Sequence, residues 1–318
     1  MAGKIKILIV QIGKLGDMIL TTPLFSELKS LYPEFEISVL ASPKNSVISK
    51  NLSIVDFTYE YDKKLYSTTK LIKSLRGKSF DLWIDTKDEY SSTSKLLKSL
   101  CNPKQSLGFN FNKAVFDVDL KNYTVGEHRV DINLSPVNYL LKEKKSRTVK
   151  SIFDIPAQDK LNVKQILDKI AGKKFLLNIS AGIKTREWST EKWIYTSENI
   201  QNDINVILTG QEKDYDRINL IIEKSQREKI YFVKTKTIFE FAQLIKDCDL
   251  IVTPDTSAVH LASCFNTPIV CFYNNVEWNL KKFAPLSDKQ IVLVSKDENS
   301  FNSIASEEVI KAINSILA

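Results

Sequence analysis

Apolar residues occur along the chain in short runs that alternate with amphipathic stretches. In the first half, runs typical of buried strands occupy residues 5–12, 35–41, 54–59, 80–85 and 105–109. Helical patterns lie at about residues 17–31, 65–75, 92–100 and 126–141. Strands of a parallel sheet are covered on both faces, so continuous apolar runs are expected of them. The pattern predicts a parallel sheet with helices between its strands.

The second half of the chain repeats this alternation. Its predicted strands are residues 175–179, 206–209, 230–233, 250–253 and 268–272. Its predicted helices lie near residues 190–200, 214–223, 238–246, 256–264 and 306–316. The charged stretch 142–150 predicts the start of a linker that ends near Pro156. We therefore predict an α/β fold with two doubly wound Rossmann-like domains, residues 1–148 and 149–318, facing a central cleft.

Composition and charge narrow the range of partners. The chain has 318 residues, of which 43% are hydrophobic and 26% charged, as in ordinary globular proteins. Its net charge of +7 favours anionic partners. The sequence has no arginine-rich arm and no aromatic RNA-binding motif, so we predict no nucleic-acid partner. Met1–Lys4 lead into a strand that contains Lys6, which is not the pattern of a signal peptide. We predict a cytoplasmic location and allow a peripheral contact with the inner face of the membrane.

The first candidate site follows the first strand, at Gly13, Lys14, Gly16 and Asp17. Glycines let a backbone turn sharply and approach a ligand closely. Asp17 is either the N-cap of the next helix or a carboxylate that acts as a general base. A P-loop would need Lys and Ser or Thr after the last glycine, and a dinucleotide site would need an acid at the end of the second strand. Neither pattern is present.

The second candidate site follows the strand at residues 250–253. Asp255, Thr256 and Ser257 begin a short helix whose free N–H groups and hydroxyls suit a pyrophosphate. His260 lies one turn further, on the same face as Thr256. The alternative is a helix cap followed by a partly buried structural histidine.

A third cluster, with Lys184 and Arg186, follows the strand at residues 175–179. These cations are suited to neutralise a leaving diphosphate, although a solvated basic loop is the alternative. Asp247-Cys248-Asp249 resembles a D-x-D metal motif, but it precedes a strand and so lies at the wrong end for a nucleotide site. We predict no metal site and no cofactor.

Together these segments resemble the ADP-heptose lipopolysaccharide heptosyltransferase family of GT-B glycosyltransferases, over nearly the whole chain. The first shared motif is G-D-x-x-x-T-x-P, here Gly16 to Pro23. The second is a K/R-x-W loop, here Arg186 to Trp188, and the third is D-T-G-x-x-H-L-A, here Asp255 to Ala262. A lesser one is Glu127-His128.

The resemblance implies a role for each candidate residue. Asp17 would be the general base on the acceptor hydroxyl, with residues 1–148 binding an anionic, lipid-linked glycan. Arg186 and Lys184 would stabilise the departing diphosphate of a nucleotide sugar, ADP-heptose in this family. The remaining donor-binding positions in residues 149–318 would be Asp255, Thr256, Ser257, His260 and Glu212. The reaction would be inverting and independent of metal.

Several positions depart from the family pattern. Ser257 replaces a glycine, Tyr273-Asn274-Asn275 stands where F-G-P is common, and either Glu212 or Asp214 could replace a glutamate near the nucleoside. These changes affect the donor pocket. They leave open a different nucleotide hexose as donor, and a module that binds nucleotides or glycans without catalysis.

Overall fold

The computed structural model describes residues 4–317, which divide into two compact units between Asp154 and Ile155. This division lies a few residues beyond the boundary predicted after residue 148. Residues 1–3, on which the expectation about a signal peptide partly rests, lie outside the described range. Among residues 4–317, none of the helices combines the length and apolar character needed to cross a bilayer.

Unit 1 is a six-stranded parallel sheet with helices between its strands. Its strands are β1 (Lys6–Gln11), β2 (Glu36–Ala41), β3 (Phe57–Glu60), β4 (Leu82–Asp85), β5 (Gln105–Gly108) and β6 (Val118–Asp119). Its helices are α1 (Leu15–Ile19), α2 (Thr22–Leu31), α3 (Ser46–Asn51), α4 (Leu65–Lys78), α5 (Ser92–Cys101), α6 (Arg129–Asn133) and α7 (Ser135–Leu141).

Unit 2 has the same plan. Its strands are β7 (Lys174–Asn178), β8 (Asn205–Thr209), β9 (Ile230–Phe232), β10 (Leu250–Pro254), β11 (Ile269–Tyr273) and β12 (Gln290–Val294). Its helices are α8 (Ala157–Leu167), α9 (Thr190–Asn199), α10 (Tyr215–Lys224), α11 (Ile238–Asp247), α12 (Ser257–Phe265), α13 (Glu277–Phe283) and α14 (Ser306–Leu317).

Strand order is the same in the two sheets. It is β3-β2-β1-β4-β5-β6 in unit 1, and β9-β8-β7-β10-β11-β12 in unit 2. In each sheet the order changes direction between two neighbouring strands, β1 and β4 in unit 1 and β7 and β10 in unit 2, which is the Rossmann arrangement. The predicted fold class, α/β with two doubly wound Rossmann-like domains, is confirmed. In such sheets ligands bind beyond the carboxyl ends of the strands at the reversal, which are β1 and β4 in one unit and β7 and β10 in the other.

Two predicted helices are each broken into two pieces at a proline. The helix predicted over residues 17–31 is α1 and α2, and the one over residues 126–141 is α6 and α7. Proline has no backbone N–H, so Pro23 and Pro136 cannot donate the helical hydrogen bond to the carbonyl four residues earlier. The hydroxyl that precedes each proline donates to that carbonyl instead, from Thr22 to Ile19 at 2.8 Å and from Ser135 to Ile132 at 2.7 Å.

Several elements were missed because their apolar pattern is weak or short. Helix α3 buries two serines, α8 buries only Val163 and Leu167, and α13 is rich in charge. Strand β6 has two residues, and β12 is a half-exposed edge strand. In each case tertiary packing, rather than local periodicity, determines the element.

Candidate functional site

The Gly13–Asp17 loop lies at the carboxyl end of β1, at the reversal of the unit 1 sheet. Lys14 is the N-cap of α1, so the alternative in which Asp17 is the N-cap is wrong. Asp17 is the third residue of the helix, and its Oδ2 accepts a hydrogen bond of 2.8 Å from the backbone N–H of Lys14. Asp17 is half-buried, and no residue within 4–317 donates to its Oδ1.

At position 13 a glycine leaves room for the side chains of Asp17 and Gln11. A Cβ there would lie 2.6 Å from Oδ2 of Asp17 and 2.8 Å from Oε1 of Gln11. Both distances are shorter than real Cβ contacts, so a larger residue would displace the carboxylate. The glycine therefore allows the Asp17 carboxylate to fold back against the turn.

The same loop is held by polar side chains from the neighbouring elements. Ser42 donates to the carbonyl of Gly13 at 2.9 Å, and Asn45 donates to the carbonyls of Gln11 at 2.9 Å and Lys14 at 3.4 Å. These buried or half-buried hydrogen bonds make the loop a preorganised part of the unit. Sequence reasoning missed Ser42 and Asn45, although their position just after β2 places them at the same sheet edge.

Gln11 connects the loop to the adjacent strand. Its side-chain N–H groups donate to the hydroxyls of Thr21 at 2.8 Å and Thr86 at 3.0 Å. Thr21 in turn donates to the carbonyl of Asp17 at 2.7 Å and accepts from Asn133 at 3.2 Å. The Thr of the G-D-x-x-x-T-x-P motif is therefore the centre of a buried network that fixes the α1–α2 junction.

Asp85 ends β4, opposite Val10 of β1, and is 2% exposed. Burial raises the pKa of its carboxyl to about 7, although a hydrogen bond from Lys87 N–H and the charges of Lys87 and Arg129 oppose the rise. Its Oδ1 accepts that bond at 2.9 Å, and its Oδ2 has no partner among residues 4–317. The sequence carried a signal for Asp85 in the form of a carboxylate ending an apolar strand.

Arg129 is a second buried ionic group that the sequence did not reveal. It is 6% exposed, forms an ion pair with Asp88, and donates to the carbonyl of Thr86 at 2.7 Å. It begins α6, whose N-cap is His128. The family motif Glu127-His128 therefore precedes an arginine that ties α6 to the loop after β4.

In unit 2, the loops after β7 and β10 lie beside each other at the reversal of the sheet. Arg186 Nη1 lies 2.8 Å from Oδ2 of Asp255. The same oxygen accepts a hydrogen bond of 2.9 Å from the side-chain amide of Asn279. Arg186 is 29% exposed and Asp255 only 9%, so the carboxylate is the buried partner. The structure thus joins two predicted site residues and adds Asn279, for which the sequence offered no spacing signal.

Helix α12 begins at this edge. Thr256 is the N-cap of the helix, and the Thr256 hydroxyl accepts a hydrogen bond of 3.3 Å from the N–H of Ala258. Ser257 is half-buried, whereas His260 is 5% exposed, with its ring 6.2 Å from that of Phe283. The cap engages the N–H of Ala258, and the N–H of Val259 donates to the carbonyl of Thr256 at 3.1 Å, so the N–H of Ser257 is the first-turn donor left for an anion.

The other predicted donor residues differ in exposure. Lys184 is exposed in a short 3₁₀ turn, and Glu212 is exposed in the turn after β8. Asp214, the alternative to Glu212, is 4% exposed and accepts from Ser180. The structural role of Asp214 makes Glu212 the more accessible carboxylate.

Two further segments have structural positions. Trp188 and Trp193 are fully buried, with ring centroids 4.9 Å apart, as packing residues rather than stacking platforms. Asp247 and Asp249 lie at the amino end of β10, where Asp249 accepts from the Lys174 N–H at 2.8 Å. Within residues 4–317, no group of three His, Cys, Asp or Glu has the geometry to hold a metal ion.

Comparison with known proteins gives the same family that the sequence motifs indicated. The model of glycosyltransferase family 9 (heptosyltransferase) matches residues 68–312. Lipopolysaccharide heptosyltransferase 3 of Escherichia coli is 25% identical over 276 residues, covering 81% of this chain and 80% of that protein.

Solved structures show the same architecture. The crystal structure of the glycosyl transferase family 9 protein from Veillonella parvula has a TM-score of 0.82 at 17% identity, covering 99% of this chain and 97% of that one. Escherichia coli heptosyltransferase WaaC, solved with ADP, has a TM-score of 0.78 at 14% identity, and the match covers 98% of this chain and 99% of that one. These likenesses confirm the GT-B fold. The chain therefore belongs to glycosyltransferase family 9, the heptosyltransferase family, and is a glycosyltransferase, as its motifs predicted.

Proposed function

We propose that the enzyme transfers a heptose from ADP-heptose to a hydroxyl of a lipopolysaccharide-core acceptor, with inversion and without a metal ion. Family membership and the named E. coli relative support the sugar and the acceptor. The neighbour solved with ADP supports the base of the donor. The observation that carries the reaction type is the half-buried Asp17 carboxylate, oriented by Lys14 N–H at the carboxyl end of β1.

Asp17 would act as the general base in unit 1, which we assign to the acceptor. Its Oδ2 is engaged by Lys14, so Oδ1 is the oxygen that would accept the proton of the acceptor hydroxyl. As that hydroxyl oxygen bonds to the anomeric carbon, the bond from this carbon to the diphosphate breaks. The electron pair departs on the nucleoside diphosphate, and the proton remains on Asp17.

Unit 2 would hold the donor and stabilise the leaving group. The N–H of Ser257 at the start of α12, with the hydroxyls of Thr256 and Ser257, would bind the diphosphate. Arg186 and Lys184 would oppose the negative charge that grows on it. Asp255 and Asn279 hold Arg186 in place, so Asp255 would serve the donor by orienting this cation. His260 would line the diphosphate site, and Glu212 would reach the nucleoside.

The substitution Asp17→Asn tests the reaction type. Removing a general base lowers turnover by about 10²–10⁴-fold. We expect this loss with donor binding nearly unchanged, because the amide keeps the size of the side chain. Sugar transfer and thermal stabilisation by ADP would be measured on the same preparations. Asp203→Asn, on an exposed loop, is the matched control. Turnover near the wild-type rate in Asp17→Asn would overturn the assignment of the base.

Ligand stabilisation tests the identity of the donor. A bound ligand stabilises the folded state by about 2.7 kcal/mol at a hundredfold excess over its dissociation constant. We expect ADP to raise the melting temperature more than UDP, GDP or CMP at equal concentration. A preference for UDP or GDP would replace ADP-heptose with another nucleotide sugar and leave the reaction type intact.

Chelation tests the independence from metal. Lys184 and Arg186 are proposed to supply the positive charge on the leaving diphosphate, so we expect EDTA to leave the transfer rate unchanged. Arg186→Met, in contrast, should lower the rate strongly in the presence or absence of Mg²⁺. Loss of activity with EDTA that Mg²⁺ restores would contradict this part of the proposal.

A further inference from the structure

The positive charge of the chain is concentrated in two acid-free segments. Residues 63–80 and 90–116 contain ten lysines and arginines and no aspartate or glutamate. The whole chain has a net charge of +7, so the remaining residues together carry a net charge of −3. The basic balance is therefore a local property of these segments, and not of lysines scattered evenly along the chain.

The two segments contain α4 and α5, which pack side by side on one face of the unit 1 sheet. Leu71 and Leu75 of α4 and Leu97 of α5 are buried in one core cluster with Trp83 of β4. The opposite sides of both helices therefore form one continuous outer surface. We call it the α4–α5 surface and define it by Lys63, Leu65, Tyr66, Lys70, Lys73 and Leu96.

Large apolar side chains project from this basic surface. Leu65 and Tyr66 are each 83% exposed, and Leu96 is 57% exposed. Single exposed apolar residues are common, but an adjacent pair at the start of a helix, in an acid-free segment of the chain, is less ordinary. The acid just before this segment, Asp62, accepts hydrogen bonds from the Lys64 N–H at 3.0 Å and from the Ser67 hydroxyl. The lysines around it are available as well, because Lys63, Lys70 and Lys73 make no ion pair with any residue in 4–317.

We propose that the α4–α5 surface docks the enzyme on an anionic lipid bilayer. Basic side chains are attracted to anionic headgroups, and exposed leucine and tyrosine side chains enter the boundary between headgroups and acyl chains. The aliphatic residues favour a membrane over nucleic acid, since nucleic-acid surfaces are read by cations and by aromatic stacking.

The location of the surface suits the proposed reaction, and this step rests on the proposed function. Leu65 and Tyr66 follow β3, and the Gly13–Asp17 loop follows β1 of the same parallel sheet. Carboxyl ends of parallel strands lie at one edge of a sheet. Docking through this end of α4 would therefore bring the edge that carries Asp17 close to a bilayer in which a lipid-linked acceptor is anchored.

Vesicle flotation of the full chain tests the proposal. The vesicles would contain phosphatidylcholine alone, or phosphatidylcholine with phosphatidylglycerol, and neither donor nor acceptor. We expect binding only to the anionic vesicles, with weaker binding at high salt. Lys70→Glu/Lys73→Glu should reduce this binding by at least about tenfold, because each basic residue near the surface contributes substantially. Leu65→Ser/Tyr66→Ser should reduce it as well.

Matched variants elsewhere on the chain provide the controls. Lys144→Glu/Lys145→Glu makes the same charge change at exposed positions outside the surface, and Leu161→Ser/Ile166→Ser removes two exposed apolar side chains of α8. Both should bind anionic vesicles nearly as the wild type does, and melting temperatures would confirm that all variants are folded. Equal losses in control and surface variants would overturn the proposal.

Two further outcomes would also overturn it. One is wild-type binding that does not depend on phosphatidylglycerol. The other is preference for duplex DNA over anionic vesicles together with no effect of Leu65→Ser/Tyr66→Ser, which would indicate a nucleic-acid surface.

Transfer to a de-acylated core oligosaccharide separates this proposal from the proposed function. Surface variants should keep that activity even where vesicle binding is lost.

Discussion

At the residue scale, Asp17 shows how one side chain can serve local structure and chemistry together. Its carboxylate bonds to the N–H of Lys14 and so completes the first turn of α1. The same bond fixes the direction of the second oxygen. The proposed base is therefore oriented before any ligand binds, which is the condition for efficient proton transfer.

Gly13→Ala tests whether this orientation matters. The added Cβ would lie 2.6 Å from Asp17 Oδ2, so the carboxylate must shift. A displacement of about 1 Å at a reacting group can cost about 10²-fold in rate, and we expect a loss of that order in kcat/KM. Gly77→Ala, where an added Cβ meets nothing within 4 Å, should keep full activity and gain about 0.5–1 kcal/mol of stability. Activity of Gly13→Ala equal to that of Gly77→Ala would contradict the prediction.

Asp85 predicts a pH dependence of stability. Its pKa is raised to about 7 in the folded chain, against about 4 for an exposed aspartate. Between these values the folded state binds a proton that the unfolded state has lost. The free energy of unfolding should therefore fall as pH rises from about 4 to 7, by at most about 1.4 kcal/mol per pH unit from this group.

Urea unfolding across this pH range would measure the effect. Asp85→Asn should remove the part of the slope that Asp85 contributes, whereas Asp203→Asn, on an exposed loop, should not. A slope unchanged by Asp85→Asn would show that the buried carboxyl does not titrate in this window.

At the element scale, a hydroxyl before a proline replaces a missing backbone donor at two helix junctions. Thr22 and Ser135 each donate to the carbonyl that Pro23 or Pro136 cannot reach. The Thr22 hydroxyl also accepts a hydrogen bond of 2.8 Å from the N–H of Ile152. Each junction therefore breaks its helix without leaving that carbonyl unsatisfied.

Thr22→Val tests this device. The substitution keeps the shape of the fully buried side chain but leaves the Ile19 carbonyl and the Ile152 N–H without this partner. Unsatisfied buried polar groups cost about 1–3 kcal/mol, and we expect destabilisation of that size in urea unfolding. Thr22→Ser, which retains the hydroxyl, should lose clearly less. Equal stability of the Val variant and the wild type would contradict this account.

At the scale of the whole molecule, each unit has its own sheet and core. The core of unit 2 includes Phe175 and Leu177 of β7, Trp188 and Trp193, and Phe272 of β11, all fully buried. A chain segment with a complete core of its own can fold independently.

The fragment of residues 155–318 is therefore expected to fold alone. Circular dichroism should show its helices and strands, and urea should unfold it in one cooperative transition. If unit 2 also holds the donor, ADP should raise its melting temperature. A fragment without a cooperative transition would show that unit 2 depends on residues 1–154.

Local patterns in the sequence determined the fold class, most strands, and the segments that carry the proposed site. Strand periodicity and glycine, proline and hydroxyl residues act over a few neighbouring positions, so Gly13–Asp17, Lys184–Arg186 and Asp255–Ser257 could all be placed at strand ends. The family motifs then favoured catalysis as a role of Asp17, which spacing alone left open and which stays a proposal.

Only the tertiary structure decided which of these residues lie in contact. The contacts of Arg186 with Asp255, and of Asn279 with the same carboxylate, join positions far apart in sequence. The burial of Asp85 and the joint outer surface of α4 and α5 likewise depend on how separate elements pack. A carboxylate at the end of an apolar strand was a local signal for Asp85, but local patterns do not set burial or side-chain pairing, because both depend on neighbours that only folding brings together.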